Sequence, residues 1–360
     1  MIEAVLLVGG QGTRLRPLTI NTPKPMLPVA GVPCTEHQIA RAREAGVTRI
    51  ILGTSYRAEV FRDYFGDGAK FGVELVYAVE DHPMGTGGAI RHVAEHLLSG
   101  PDDPVMVFNG DVLTGVDLRH LFAVHAETGA AVTLYLTRVA DPRAFGLVPT
   151  DTDGRVTAFL EKPKTEAEII TDQINAGCYV FRRRVIDEIP TGRPVSVERE
   201  IFPRLLAEGA RLQGVVDDGY WLDLGNPLAF VKGSADLVRG IAPSPAVPGH
   251  TGEFLVMPGA EVSRKATLGG GTVVGSGATV GPHASVFGSV LFDGAVISAG
   301  AVVRDSVIGA GAVVGAGASL DGVVVGDRAM IGPGNELIPG ARVWPGVALG
   351  ETAVRFSSDR

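Results

Sequence analysis

Two hydrophobic patterns divide this chain. Over the first 240 residues, short continuous apolar runs alternate with stretches of helical spacing. Residues 4–8 form an unbroken apolar run, as in a strand buried on both faces. Helical spacing follows at 36–45, a strand at 49–52, a helix at 59–65, a strand at 73–79 and a helix at 88–98. A further strand at 105–108 ends at Asn109-Gly110-Asp111. This β-α-β alternation predicts an α/β domain with a doubly wound, mostly parallel Rossmann-like sheet and helices on both faces. Ligands of such sheets bind at the carboxyl ends of the strands, so the chemistry is sought in the loops that follow them.

From residue 256 the pattern changes. An aliphatic residue returns as Val256, Val262, Leu268, Val274, Val280, Val286, Leu291, Ile297, Val303, Ile308, Val314, Leu320, Val325, Ile331, Leu337 and Val343. Of the 15 steps, 12 span six residues and three span five, a period that neither a helix nor an ordinary strand produces. It resembles the hexapeptide repeat of left-handed parallel β-helices, in which three sides make a triangular coil and the aliphatic residue points inward. Fifteen sides would give about five coils. The glycines agree: 22 of the 49 fall in residues 251–350, where small residues suit tight corners. The Pro-rich stretch from Ile241 to Gly249 reads as a linker. The expected domains are therefore 1–240, a linker at 241–253, the β-helix at 254–345 and a loose tail at 346–360.

Composition narrows the classes. Hydrophobic residues are 45% of the chain, which excludes disorder, and the glycines lack the strict period of collagen. The formal charge is −8 and the longest basic run is Arg182-Arg183-Arg184, read as a solvated helix start, so a nucleic-acid partner is not expected. Cys34 and Cys178 are too few for a disulfide framework and read as small core residues of a reduced, cytoplasmic protein. No apolar stretch approaches a membrane span, and the N-terminal apolar run is too short for a signal segment. His92 and His96 sit four apart, but the glutamate between them is misplaced for a zincin motif.

The loop after the first strand reads Gly9-Gly10-Gln11-Gly12-Thr13-Arg14-Leu15-Arg16-Pro17. Its glycines allow a close approach of backbone N–H groups to phosphate. It is neither a Walker A loop nor the dinucleotide fingerprint, because Leu15 occupies the third glycine position. It brings its own cations instead, Arg14 and then Lys24.

With Pro23-Lys24-Pro25-Met26, this loop resembles the signature of the sugar-1-phosphate nucleotidyltransferases. The other matching segments are Pro83-Met84-Gly85-Thr86-Gly87-Gly88, Asn109-Gly110-Asp111, Phe145-Gly146-Leu147-Val148, Phe159-Leu160-Glu161-Lys162-Pro163, Ile174-Asn175-Ala176-Gly177 and Tyr220-Trp221-Leu222-Asp223-Leu224-Gly225. The resemblance covers the whole chain, since members of this family often append a left-handed β-helix. It is strongest to members that use GTP and mannose 1-phosphate, and it implies GDP-mannose and pyrophosphate as products.

The resemblance implies roles that fit the chemistry. The nucleophile is an anionic phosphate oxygen, so no general base is needed, and the work is to gather anions and stabilise an in-line transition state. Gly9, Gly10, Gly12 and Thr13 would hold the triphosphate, and Arg14 and Lys24 would be the catalytic cations. Loss of one should lower kcat on the order of 10²–10³-fold. Asp111 and Asp223 would hold Mg²⁺, which takes one or two carboxylates together with phosphates and water. Gly85, Thr86, Gly88, Asn109 and Gly110 would line the nucleotide. Gly146, Glu161, Lys162, Asn175 and Gly177 would serve the sugar phosphate. Glu80 is expected to help select guanine, whose N1–H and N2–H₂ one carboxylate can accept together.

Other readings stay open at this level: another NTP or sugar 1-phosphate, or a silent nucleotide-sugar sensor, which could dispense with Arg14, Lys24, Asp111 or Asp223. Acyl transfer in the β-helix is disfavoured by its brevity. The flat sides and open ends of the repeat suit a homo-oligomer, dimeric or higher.

Overall fold

The computed structural model describes residues 2–55, 57–247 and 252–355. By contacts the chain divides into two compact units. One comprises Met1–Gly10 with Gln38–Trp221, the other Gln11–His37 with Leu222–Arg360. Compactness thus cuts the chain differently from the expected boundary at 240: the signature loop and the segment around Asp223 group with the repeat.

The first unit is built on β1 (Ile2–Leu7), α1 (Cys34–Glu44), β2 (Val47–Thr54), α2 (Ala58–Phe65), β3 (Glu74–Val79), α3 (Gly85–Val93) and β4 (Pro104–Asn109). β1 pairs in parallel with β2 on one side and β4 on the other, and β2 pairs in parallel with β3. The chain therefore winds outward through β2 and β3, then returns to the other flank of β1. This reversal is a topological switch point, and it sets the ends of β1 and β4 side by side, with Leu7 opposite Asn109. Gly110 N–H donates to the Leu7 carbonyl at 2.8 Å and locks the two strand ends together.

Beyond β4 the sheet is mixed. After α4 (Leu118–Thr128) come β5 (Val132–Arg138), β6 (Gly146–Leu147), β7 (Leu160–Glu161), β8 (Gln173–Arg182) and β9 (Leu212–Val216). β8 runs antiparallel to both β4 and β5, and β5 pairs in parallel with β9. The core is aliphatic at the centre, with Val5, Ile51, Val107 and Leu134 fully buried, and aromatic at the flank, where Tyr179, Phe181 and Phe202 pack.

Several expected elements shift. The helix expected at 88–98 begins at Gly85, ends at Val93 and tightens into a single 3₁₀ turn at Ala94–His96. Arg182-Arg183-Arg184 is not simply a solvated helix start. Arg183 donates to the carbonyls of Ala94, Leu97 and Ser99 and pairs with Asp187. Those carbonyls end the α3 region, where a cation is favoured. Cys34 and Cys178 are free and buried, as expected.

In the second unit, short strands stack as three parallel sheets of six, six and five strands, consistent with a left-handed β-helix. The pairings Val256 with Val274, Val274 with Leu291, Leu291 with Ile308, Ile308 with Val325 and Val325 with Val343 connect successive coils along one sheet. The three five-residue steps each shorten one coil. At two of these corners small hydroxyls are buried: Ser289 Oγ accepts from Ser306 N–H, and Ser306 Oγ accepts from Val323 N–H. They satisfy backbone donors that the tight turn would otherwise orphan. From Val274 onward the aliphatic series is the core, with Val274, Ile297, Val303, Ile308, Val314 and Leu320 fully buried, whereas Val262 and Leu268 are partly buried and Val256 is exposed.

The solenoid also continues past the expected end at 345. Ala348–Leu349 pairs with Met330–Ile331, and Glu336 N–H bonds the Val354 carbonyl. The residues expected to be a tail from 346 thus carry a strand, while 356–360 lie outside the described residues. The expected linker is partly described: Ala242 is buried and Ser244 Oγ lies 2.6 Å from His37 Nδ1. Helix α5 (Pro227–Val238) packs on the solenoid through Phe230, whose ring meets Phe292 edge-on at 6.3 Å.

Candidate active site

The signature loop is a chain of three 3₁₀ turns, Thr13–Leu15, Leu18–Ile20 and Lys24–Met26. Its apolar residues are anchors: Leu15, Leu18 and Met26 are buried while Thr13 and Arg14 stay exposed. Gly12 is left-handed at φ 56°, and a Cβ there would lie 2.9 Å from both Lys24 Cβ and Thr19 Cγ2. Thr19 Oγ1 donates to the Gly12 carbonyl at 2.9 Å. Only glycine folds the loop back closely enough to bring Lys24 beside Arg14's turn.

Asp223 joins the two cations. Its Oδ1 lies 3.5 Å from Lys24 Nζ and its Oδ2 lies 3.9 Å from Arg14 Nη2. Lys24 is 11% exposed and Arg14 is 69% exposed, so the lysine is held in the loop while the guanidinium stands in solvent. A Cβ at Gly225 would lie 2.6 Å from Arg14 Nη2 and 2.9 Å from Asp223 Oδ2. That close approach explains the glycine two residues after the aspartate. Asn226 then caps α5, its Oδ1 accepting from Ala229 N–H at 2.9 Å, with Pro227 in the first turn.

The same unit ties this loop to the solenoid. Ala30 N–H donates to Ser234 Oγ of α5, Gly31 lies against Met257, and Arg342 Nη1 donates to the Arg16 carbonyl at 2.6 Å.

In the first unit, Gly9 and Gly10 come after β1, Asn109 is the last residue of β4, and Gly110 and Asp111 follow it. Gly9 and Gly10 are exposed and Asp111 is half-buried. Glu80 follows β3, and its Oε2 accepts from Met84 N–H at 3.4 Å. Burial raises its pKa above the ordinary carboxylate value, and the Met84 bond partly offsets this.

The segment from Gly85 to Gly88, expected to line the nucleotide and open the next helix, forms the first turn of α3. Gly87 and Gly88 donate their N–H groups to the Val195 carbonyl at 2.8 and 3.2 Å. Thr86 Oγ1 donates to Glu198 Oε2 at 2.7 Å and accepts from Val197 N–H. These glycines therefore serve close packing against Val195.

Around β6 to β8 the sugar-phosphate candidates gather. Glu161 lies opposite Gly146 across the β6–β7 pair. Lys162 turns outward with a positive φ of 51° and stands 3.7 Å from Glu161, its side chain 59% exposed against 17% for Glu161. Asn175 Nδ2 donates to Tyr179 Oη and its Oδ1 accepts from Gly177 N–H, which fixes the amide at an irregularity in the β5–β8 pairing. Trp221 Nε1 donates to the Ala176 carbonyl, and its ring meets Phe145 edge-on. The Glu161 pKa is raised, first by burial and then by the charge of Glu198.

Glu198 is absent from the sequence-based set. It sits in a π-helical turn, Val197–Ile201, and also accepts from Ser196 Oγ at 2.6 Å. No local pattern marks it, because its partner Thr86 is 112 residues away. Among the described residues no three His, Cys, Asp or Glu side chains gather to hold a metal. The metal candidates are single carboxylates, a donor type that suits Mg²⁺ completed by phosphate and water.

Comparison with known proteins gives the family. Residues 3–240 match the family described as Nucleotidyl transferase, and residues 250–355 match the GMPPB C-terminal domain. The chain is 59% identical over 359 residues to the mannose-1-phosphate guanylyltransferase of Mycobacterium tuberculosis, covering 99% of this chain and 98% of that protein. It is 37% identical over 266 residues to the mannose-1-phosphate guanylyltransferase catalytic subunit beta of Drosophila pseudoobscura, covering 72% of this chain and 70% of the relative. The crystal structure of HddC from Yersinia pseudotuberculosis complexed with GMP-PN superposes with a TM-score of 0.55 at 26% identity, over 66% of this chain and 100% of that one. No helix among the described residues is long and apolar enough to cross a membrane.

Proposed function

We infer, for a chain that belongs to the nucleotidyl transferase family, the activity of a mannose-1-phosphate guanylyltransferase. A phosphate oxygen of mannose 1-phosphate attacks the α-phosphorus of GTP. The new O–P bond forms as the bond from the α-phosphorus to the β-phosphate oxygen breaks, and the electron pair leaves with pyrophosphate. The product is GDP-mannose. Identity of 59% along the full length of a curated relative supports this reading.

The observation that carries the mechanism is the grouping of Arg14 and Lys24 on Asp223. Without substrate, one carboxylate keeps two cations from repelling one another. In our reading, the polyphosphate takes over that role, and both charges act on the transferring and leaving phosphates. The exposed backbone of residues 9–13 supplies N–H donors to the triphosphate. Lys162, outward and exposed, meets the sugar phosphate, and Glu161 with Asn175 meets the hydroxyls. Glu80 contributes to guanine selection.

A divalent metal is general in this family. We assign Mg²⁺ to Asp111 and Asp223, each a half-buried carboxylate with the hard oxygen donors Mg²⁺ prefers. When bound, the ion would neutralise charge on the phosphates. Assembly through the solenoid is supported by exposed Ile338, Trp344 and Val347 near its last coil. Light scattering at micromolar concentration tests it, and a monomer would reject it. Two free buried thiols support a reducing, cytoplasmic setting.

The activity is tested by chromatography of GTP, mannose 1-phosphate and Mg²⁺ incubated with the protein. GDP-mannose should appear mole for mole with pyrophosphate, and Lys24→Met should abolish nearly all of it. Absence of GDP-mannose with the natural sequence would overturn the assignment.

A further inference from the structure

The turn that carries Asp111 is held by a residue distant in sequence. Gln38, in the second turn of α1, is 7% exposed. Its Nε2 donates to the carbonyl of Asn109 at 2.8 Å and to the carbonyl of Val112 at 2.8 Å. Both amide hydrogens are thus committed, one to each flank of Gly110-Asp111. From the opposite side Gly110 N–H bonds the Leu7 carbonyl, and a Cβ at Gly110 would lie 2.6 Å from that oxygen.

Two features indicate that this arrangement is specific. The amide cannot be turned over, because its oxygen would then face two carbonyl oxygens. In the observed orientation Oε1 is buried without a hydrogen-bond partner among the described residues. An apolar side chain of the same shape would remove the orphan Oε1, but it would also withdraw the donors from the Asn109 and Val112 carbonyls. The amide is retained for its two donors, and what those donors fix is the backbone on both sides of one carboxylate.

We propose that Gln38 is a positioning residue for Asp111: by bridging the carbonyls of Asn109 and Val112 it sets the carboxylate where a divalent cation on the nucleotide phosphates meets it. This rests on the reading of Asp111 as a metal carboxylate. Groups that orient metal-binding side chains commonly change metal affinity by about 10–100-fold when removed.

The test is a double-mutant cycle on the full chain, read by electron paramagnetic resonance of Mn²⁺ in the presence of GTP. Gln38→Met keeps length and volume but removes both donors. Asp111→Asn removes the carboxylate charge. Expected are a loss of Mn²⁺ affinity of about tenfold in Gln38→Met, unchanged binding of GTP measured without metal, and no further loss when Gln38→Met is added to Asp111→Asn. Gln38→Asn, which keeps an amide too short to bridge both carbonyls, carries the test if the Met variant does not fold. Unchanged Mn²⁺ affinity in the Gln38 variant overturns the proposal, as does a loss that adds in full to that of Asp111→Asn, since purely structural damage would be additive. If Asp111→Asn alone binds Mn²⁺ normally, the metal reading of Asp111 fails first and takes this proposal with it.

Discussion

Arg342, in the sixth coil of the solenoid, donates through Nη1 to the carbonyl oxygen of Arg16, two residues after the candidate catalytic Arg14. A repeat that sequence alone assigns to scaffolding thus touches the phosphate loop directly. Replacing Arg342 by Ala should raise KM for GTP about fivefold, the equivalent of one exposed hydrogen bond of about 1 kcal/mol. KM for mannose 1-phosphate should stay within about twofold. Steady-state kinetics with each substrate varied in turn checks this, and equal changes in both would refute a local role.

The pairing of Lys24 and Arg14 with Asp223 makes a second prediction. Lys24→Met should reduce kcat on the order of 10²–10³-fold. Asp223→Asn should also fall, because it loses the carboxylate that groups the cations and that we assign to Mg²⁺. Raising Mg²⁺ concentration should recover part of the Asp223→Asn loss and none of the Lys24→Met loss. The two titrations separate a metal carboxylate from a simple counter-ion.

Glu161 and Glu198 are coupled by charge. Burial and the neighbouring carboxylate both hold the Glu161 pKa up, so removal of the neighbour should let it fall. In Glu198→Gln the acid limb of kcat/KM for mannose 1-phosphate should move to lower pH. A pH profile of the two proteins decides it, and a limb that stays in place would remove Glu161 from the titrating site.

His125 provides a pH test of stability. It is buried on α4, its Nδ1 lies 2.9 Å from Thr133 Oγ1, and burial lowers its pKa from 6.5 to about 4. Below pH 6.5 the unfolded chain takes up a proton that the folded protein resists. Stability should therefore fall as pH drops from 6.5 through about 4, by up to about 3 kcal/mol from this one group. Denaturant melts of His125→Gln, which does not titrate, should show a shallower acid decline.

Much of this was readable before the fold was known, and the failures have a common cause. The aliphatic hexads appear as the solenoid core, and the three five-residue steps appear as its three shortened coils, because both follow from nearest-neighbour stacking. The β-α-β alternation of residues 2–109 likewise encodes its own crossovers. What sequence could not show is long-range. Thr86 and Glu198 meet across 112 residues, and Arg342 and Arg16 across 326. The glycines at 85 and 87 add a second reason for their type that sequence does not show: a Cβ at either would crowd Val195, more than 100 residues away. The six-residue rule, by contrast, reaches the solenoid's last strand: Leu349 stands six residues after Val343 and packs on the core, and Ala348–Leu349 pairs with Met330–Ile331.

Guanine selection rests on Glu80. Glu80→Gln should narrow the preference of the enzyme for GTP over UTP, because an amide suits the N3–H of uracil between its two carbonyls and a carboxylate does not. The ratio of kcat/KM for the two nucleotides is the readout. An unchanged ratio would leave Glu80 only its bond to Met84 N–H.

The most direct test of the whole account is a matrix of four nucleoside triphosphates against several sugar 1-phosphates, read as pyrophosphate release with Mg²⁺. GTP with mannose 1-phosphate should give by far the highest kcat/KM. Release that is fastest with another pair, or absent in every combination, would contradict it.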